Sequence, residues 1–148
     1  MDALPSPLPA ADFVLPTPEG SSIALGDYRG RHLLVNFWAY WCAPCVDELP
    51  AMQRLYTELA AQAVAVLAIH AGPYTVAAQS IVDRFQLTFD IAIDSQTALQ
   101  GWAVPALPVS YLVNPTGQVT HRALGPRPWE RTAFQPLLRA REPAEAGS

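Results

Sequence analysis

The chain has 148 residues, of which 51% are hydrophobic and 15% charged, and its formal net charge is −4. This length suits one domain with a buried core, and the small acidic surplus argues against nucleic acid or an anionic membrane surface as the partner. All nine basic residues are arginines, which excludes lysine-dependent chemistry such as Schiff-base formation or a P-loop phosphate contact.

Both ends of the chain are rich in proline, which contributes 15 residues in all. We therefore expect residues 1–11 to be a flexible lead, residues 12–140 to form the domain and residues 141–148 to be a flexible tail. No stretch is as long and apolar as a membrane span, and the first residues lack the features of a signal peptide. Either the protein is cytosolic, or an anchor or signal has been removed from this sequence.

The first half of the domain combines strand and helix patterns. Residues 12–16 and 22–25 predict a hairpin around the turn-like residues 17–20. Residues 33–38 are continuously apolar, which is typical of a central strand covered on both faces. From Pro44 onward, apolar residues recur at helical spacing at Leu49, Met52, Tyr56 and Leu59.

In the second half, strands and helices alternate before a final hairpin. The predicted elements are a strand at 63–69, a helix at 74–85 with Val76, Ile81, Val82 and Phe85 inward, a strand at 90–94 and a helix at 97–102. This order is typical of a parallel sheet with right-handed crossovers. Strands at 109–113 and 118–123 flank a type I turn sequence. A helix at 129–139 follows, with Pro136 a reason to doubt its last turn.

Both cysteines lie in Cys42-Ala43-Pro44-Cys45, between the central strand and the long helix. Helix-end N–H groups and the helix dipole favour a thiolate, so this arrangement indicates thiol-disulfide chemistry. A purely structural disulfide is an alternative, but so short a loop contributes little chain-entropy stabilisation. A zinc site would require His70 and His121 to converge on the pair.

The segment 36–50 resembles the signature of the TlpA/ResA/CcmG (DsbE) group of thioredoxin-like thiol-disulfide oxidoreductases. It contains Asn36-Phe37-Trp38, then Trp41 and the cysteine pair, then Glu48 and Pro50, while Pro108 precedes a late strand. The resemblance covers about residues 12–140. It implies an α/β thioredoxin fold, in which helices flank a central mixed β-sheet, with an N-terminal β-hairpin and an extra strand-helix insertion.

The resemblance implies that Cys42, the more exposed cysteine, attacks a substrate disulfide and that Cys45 resolves the mixed disulfide. Glu48 would act as an acid/base for Cys45 or tune the pair, although it could also be a solvated acid that favours the helix dipole. Asn36 replaces the buried Asp of plain thioredoxins, and since it cannot titrate, that role would be absent or pass to Glu48 or water. Asn36 could equally be a buried amide satisfied by backbone.

Other residues are expected to shape the site. Pro108 is predicted to be a cis-proline facing the cysteines, with Pro105 as the competing candidate, and Leu107 to contact the substrate. Trp41 is expected to shield the pair. Oxidants stabilise the reduced thiolate, but Ala43 and Pro44 supply no charge that would do so and Glu48 disfavours a thiolate, which together favour a reductant over an oxidant.

The implied function is reduction of protein disulfides, in cytochrome c maturation or for another dedicated substrate. The redox-active Cys42–Cys45 disulfide would serve without a separate cofactor or metal. A membrane thiol donor would supply electrons to a monomeric protein in the periplasm or another extracytoplasmic compartment, although a cytoplasmic location stays open. A thiol peroxidase is less consistent with the sequence because Ala39 stands where a Thr or Ser would place peroxide. A copper(I)-binding thiol module is a further alternative.

Overall fold

The structure is a computed structural model that describes residues 1–96, 99 and 101–140. Its strands are β1 (Asp2–Pro9), β2 (Val14–Pro16), β3 (Ser22–Ala24), β4 (His32–Trp38), β5 (Val64–Ala71), β6 (Asp90–Asp94), β7 (Val109–Val113) and β8 (Gln118–Leu124). Its α-helices are α1 (Ala43–Glu58), α2 (Val76–Arg84), α3 (Arg131–Phe134) and α4 (Leu137–Ala140).

A mixed sheet forms the centre of the molecule, with the strand order β1-β8-β7-β4-β5-β6. The β4–β5 and β5–β6 pairs are parallel, whereas the β4–β7, β7–β8 and β8–β1 pairs are antiparallel. Strands β2 and β3 pair as an antiparallel hairpin. The predicted mixed α/β sheet, the N-terminal hairpin and the extra unit made of α2 and β6 are therefore confirmed.

Strand β4 lies between β5 and β7, and all seven of its residues are buried. Leu34 and Trp38 belong to the apolar cluster beneath α1, while Leu33 and Phe37 pack in the cluster on the opposite face. Successive side chains of a strand point to opposite faces, so Asn36, in phase with Leu34 and Trp38, faces α1. The strand thus carries the amide of Asn36 towards the helix that follows it.

The expectation of a flexible lead at residues 1–11 is wrong for most of its length. Asp2–Pro9 forms β1, which pairs with β8 and places Ala3 opposite His121 and Leu8 opposite Val119, with an irregular register between them. Strand β8 would otherwise leave one row of backbone groups unpaired, and β1 satisfies part of it. Proline is tolerated in β1 because an edge strand has N–H groups that need no partner.

The helix predicted for residues 129–139 is divided into α3 and α4. Pro136 lies between them and has no N–H with which to continue the helix. Trp129 precedes α3 in the left-handed region, at φ 49°. Of the helix predicted at 97–102, residues 97, 98 and 100 lie outside the described residues, as does the tail predicted for residues 141–148.

Helix α2 begins two residues later than predicted, after Thr75, whose hydroxyl accepts a hydrogen bond from the Ala78 N–H. Ala78 and Ile81 are its buried residues. Val76 was predicted to face inward but is 84% exposed, because the first helical residue lies beyond the edge of the core. The periodicity located the helix correctly and misplaced its first side chain.

Candidate active site

The two cysteines occupy the first turn of α1. Cys42 is the N-cap residue, Ala43 and Pro44 begin the helix, and Cys45 follows them. Pro44 is accommodated because N–H groups in the first turn have no partner within the helix. Cys42 and Cys45 form a disulfide bond, with their Cα atoms 5.3 Å apart.

The two sulfur atoms differ in access. Cys42 is 7% exposed and Cys45 is fully buried, which confirms the predicted order of exposure. The Cys45 N–H donates a hydrogen bond to Cys42 Sγ over 3.4 Å. After reduction, this N–H and the positive end of the α1 dipole would both stabilise negative charge on Cys42 Sγ.

The Leu107–Pro108 peptide bond is cis, as predicted, and Pro105 is not part of a cis bond. Pro108 immediately precedes β7, where Val109 pairs with Phe37 near the end of β4. Pro108 therefore lies at the end of the sheet from which the chain enters the cysteine turn. Leu107 is half-buried and packs against both apolar clusters.

Glu48 is buried, with 5% of its surface exposed, so the interpretation of this residue as a solvated acid is wrong. Its Oε1 accepts a hydrogen bond from Asn36 Nδ2 at 2.9 Å. Its Oε2 accepts two, from Trp129 Nε1 at 2.8 Å and from the Arg127 N–H at 3.0 Å. Burial raises the pKa of the Glu48 carboxyl, and these hydrogen bonds oppose part of that increase.

Asn36 links β4 to both α1 and β7. Its Nδ2 donates to Glu48 Oε1 and, at 2.8 Å, to the hydroxyl oxygen of Ser110, its partner in the β4–β7 register. Its amide nitrogen is thus satisfied by side chains rather than by backbone, and its Oδ1 has no hydrogen-bond partner within the described residues. The expectation that backbone satisfies this amide is wrong.

The network around Glu48 includes three residues that the sequence did not identify: Ser110, Arg127 and Trp129. Ser110 could have been found, because pairing the strand at 109–113 with the central strand places it opposite Asn36. Arg127 and Trp129 lie 79 and 81 residues from Glu48 in the chain. No local pattern indicates contacts over such a separation.

Comparison with known proteins agrees with this geometry. Residues 8–122 match the AhpC/TSA family. The chain belongs to the AhpC/TSA family. It is 40% identical over 111 residues to the thiol-disulfide oxidoreductase ResA of Geobacillus thermodenitrificans (strain NG80-2), covering 74% of this chain and 64% of that protein. It is 35% identical over 117 residues to ResA of Bacillus cereus (strain ZK / E33L), covering 78% and 68%. The chain thus spans a little under two thirds of the Geobacillus relative.

Solved structures of thiol-disulfide oxidoreductases and related proteins show the same fold. A thiol-disulfide oxidoreductase from Bacteroides fragilis NCTC 9343 superposes with a TM-score of 0.76 at 26% identity, covering 88% of this chain and 99% of that one. StoA from Bacillus subtilis superposes with a TM-score of 0.67 at 27% identity, covering 79% and 90%. The resemblance to ResA-type proteins and the thioredoxin fold are confirmed.

The surface beside the Cys42–Cys45 pair is apolar. Trp41 is 67% exposed, and Ala43 and Pro44 are exposed as well. Trp38 is fully buried in the core. Trp41 was expected to shield the pair, but with so much of its surface open to solvent it presents an aromatic face next to Cys42.

His70 supports the turn that leads to Cys42. Its Nδ1 donates to the Gly72 carbonyl at 3.1 Å, so its Nε2 is the nitrogen that accepts the Tyr40 N–H, also at 3.1 Å. The ring stacks on Tyr40 with a 5.8 Å centroid separation. Burial lowers the pKa of His70, which favours this neutral form.

Among the residues that the structure describes, no group of three or more His, Cys, Asp or Glu side chains is arranged to hold a metal ion. In the same residues, no helix has the length and hydrophobicity required to cross a membrane.

Proposed function

We propose that this protein is a thiol-disulfide oxidoreductase that reduces protein disulfides through Cys42 and Cys45. The observation that carries the proposal is the bonded pair at the start of α1, with the Cys45 N–H directed at Cys42 Sγ. The ResA relatives are named for the same activity. The disulfide itself serves as the redox group.

The first step uses the more exposed sulfur. In the reduced protein, the Cys42 thiolate attacks one sulfur of the substrate disulfide and forms a mixed disulfide. The other substrate sulfur leaves as a thiolate and takes a proton. Positioning of Cys42 at the helix N-cap lowers the free energy of the attacking thiolate.

The second step requires Cys45 to lose a proton inside the protein. Glu48 lies three residues further along α1, so the two side chains are neighbours on the helix. The Cys45 thiol gives its proton to the Glu48 carboxylate, and the Cys45 thiolate attacks Cys42 Sγ. The Cys42–Cys45 disulfide forms, and the second substrate thiolate leaves and is protonated. In the complete reaction, two protein thiols are oxidised to a disulfide and one substrate disulfide is reduced to two thiols.

Glu48 suits this role because its pKa is raised by burial. A carboxyl whose pKa lies closer to that of a thiol accepts its proton at a smaller free-energy cost. Asn36 cannot replace it, since an amide does not titrate. The same buried carboxylate disfavours thiolate charge on the cysteine pair, and Ala43-Pro44 supplies no charge that would stabilise it. Both features support a reductant rather than an oxidant.

The proposal extends to a dedicated protein substrate in an extracytoplasmic compartment, as in cytochrome c maturation. The protein would act as a monomer and receive its electrons from a membrane thiol donor. The exposed apolar side chains of Trp41, at 67% exposure, and Val104, at 36%, support a protein substrate. An extended substrate segment would add main-chain hydrogen bonds beside Leu107.

The Cys42→Ala variant tests the activity. It should retain the fold and lose reduction of insulin disulfides, measured by turbidity with dithiothreitol as electron donor. The Cys45→Ser variant should instead accumulate a mixed disulfide through Cys42, which mass spectrometry can identify. Undiminished turnover by Cys42→Ala would overturn the proposed function, and recovery of small thiols alone would contradict a dedicated protein substrate.

A further inference from the structure

The carboxyl of Glu48 is held from three directions by donors that carry no formal charge. Asn36 in β4 donates to Oε1, while the Arg127 backbone N–H and the Trp129 indole donate to Oε2. The Arg127 guanidinium donates instead to the carbonyl oxygens of residues 124–126. The orientation of the acid therefore depends on neutral groups, one of which is a single tryptophan side chain.

Trp129 adopts an unusual conformation to make this contact. It is 5% exposed, and its backbone lies at φ 49°, where a bulky residue is rare. Its ring packs against Phe134 with a centroid separation of 6.3 Å. Packing of the ring alone needs no N–H group, yet the indole N–H is directed at Glu48 Oε2.

We infer that Trp129 is a positioning residue, whose indole N–H holds the Glu48 carboxylate in place for proton exchange with Cys45. The inference rests on the proposed function, because it assigns Trp129 to the acid/base of that reaction. The indole N–H of Trp129 contacts the acid, so Trp129 acts through Glu48. The contact joins the segment that follows β8 to the chemistry at the start of α1.

The surroundings of Glu48 give the direction of the effect. The Arg127 guanidinium is the charged group that lowers the pKa of the carboxyl, Cys45 is the titratable neighbour on α1, and Asn36 and Trp129 are neutral. A hydrogen bond to a carboxylate stabilises its charged form. Removing the indole N–H should therefore raise the pKa of Glu48 further. On acidification, the Glu48 carboxylate would then be protonated, and unable to act as a base, at a higher pH than in the wild type.

The test compares two tryptophans. Trp129→Phe keeps an aromatic ring but removes the N–H. Trp102→Phe is the matched control, because Trp102 is 6% exposed and its indole donates to the Ala11 carbonyl at the same 2.8 Å, in the cluster on the opposite face of the sheet. Each change removes one indole hydrogen bond of the same length, and only one of these bonds involves Glu48.

Two measurements are made on the full chain. Carbon-13 NMR of labelled glutamate follows the Glu48 carboxyl, assigned with Glu48→Gln, and single-turnover kinetics give the pH profile of mixed-disulfide resolution. In Trp129→Phe both midpoints should move up by roughly one pH unit, the size expected for one hydrogen bond to a charged group. In Trp102→Phe both should stay at the wild-type values.

An unchanged Glu48 midpoint in Trp129→Phe, or equal shifts in both variants, would overturn the inference. A shifted carboxyl midpoint with an unshifted kinetic profile would also overturn it, because Trp129 would then hold an acid that does not exchange the proton. If Trp129→Phe does not fold, the tryptophan isostere 3-benzothienylalanine at position 129 removes the N–H while keeping the ring shape, and it is tested in its place. Failure of the proposed function is seen separately, as undiminished turnover by Cys42→Ala.

Discussion

Cys42 and Cys45 are bonded to each other, yet their surroundings differ in almost every physical respect. Cys42 retains 7% exposure, follows the exposed Trp41 in the chain and receives a backbone N–H. Cys45 is fully buried, and the buried acid that follows it on α1, Glu48, is hydrogen-bonded to β4 and to the segment after β8. The comparison indicates that access is arranged around one sulfur and proton transfer around the other.

Of the changes that test this difference between the two cysteines, Glu48→Gln is expected to have the largest effect. The change removes the proposed proton acceptor for Cys45, so resolution of the mixed disulfide should slow by roughly two orders of magnitude, as for the loss of a general base. The initial attack by Cys42 should change much less. Quenched-flow trapping of the mixed disulfide separates the two rates.

Asp47→Asn is the control for Glu48→Gln, because Asp47 is the adjacent acid on α1 and is exposed. It removes the same formal charge without touching the buried network. Equal slowing of resolution in both variants would mean that general electrostatics, and not proton transfer at Glu48, governs Cys45.

Much of the site that surrounds the cysteines was predictable because its residues are close in sequence or follow from strand pairing. The apolar run of β4, the Cys42 N-cap and the Pro108 step before β7 were each recognised from local patterns. The hydrogen bonds of Glu48 were not predictable in this way, because Trp129 is distant in sequence and lies close to Glu48 only in the folded sheet. The same limit applies to β1, whose strand conformation depends on the free edge of β8 rather than on its own composition.

Glu48 should also leave a signature in the pH dependence of stability. Its folded-state pKa is raised above the unfolded value, so between the two values the native state binds more protons and stability falls as pH rises. The slope contributed by this one group cannot exceed about 1.4 kcal/mol per pH unit. Urea unfolding across this range should show a steeper decline for the wild type than for Glu48→Gln.

The measurement compares slopes and not absolute stabilities, because Gln also places an amide opposite the donors of Asn36, Trp129 and Arg127. Asp47→Asn should keep the wild-type slope, since no pKa shift at Glu48 is expected from a change at an exposed neighbour. Parallel curves for the wild type and Glu48→Gln would contradict a raised pKa for the buried carboxyl.

The smallest expected effect concerns the Cys42 side. Trp41→Ala removes an aromatic face that is 67% exposed, so the free energy of unfolding should stay within about 0.5 kcal/mol of the wild type. If the face contacts protein substrates, kcat/KM should fall several-fold for insulin, roughly the effect of losing 1 kcal/mol of contact, and stay unchanged for a small aromatic disulfide. Val76→Ala, at an 84% exposed position on α2, should change neither rate. A similar fall for both substrates would mean that Trp41 affects the chemistry of Cys42 and not the contact with protein substrates. The proposed contrast would then be supported only by the buried surroundings of Cys45.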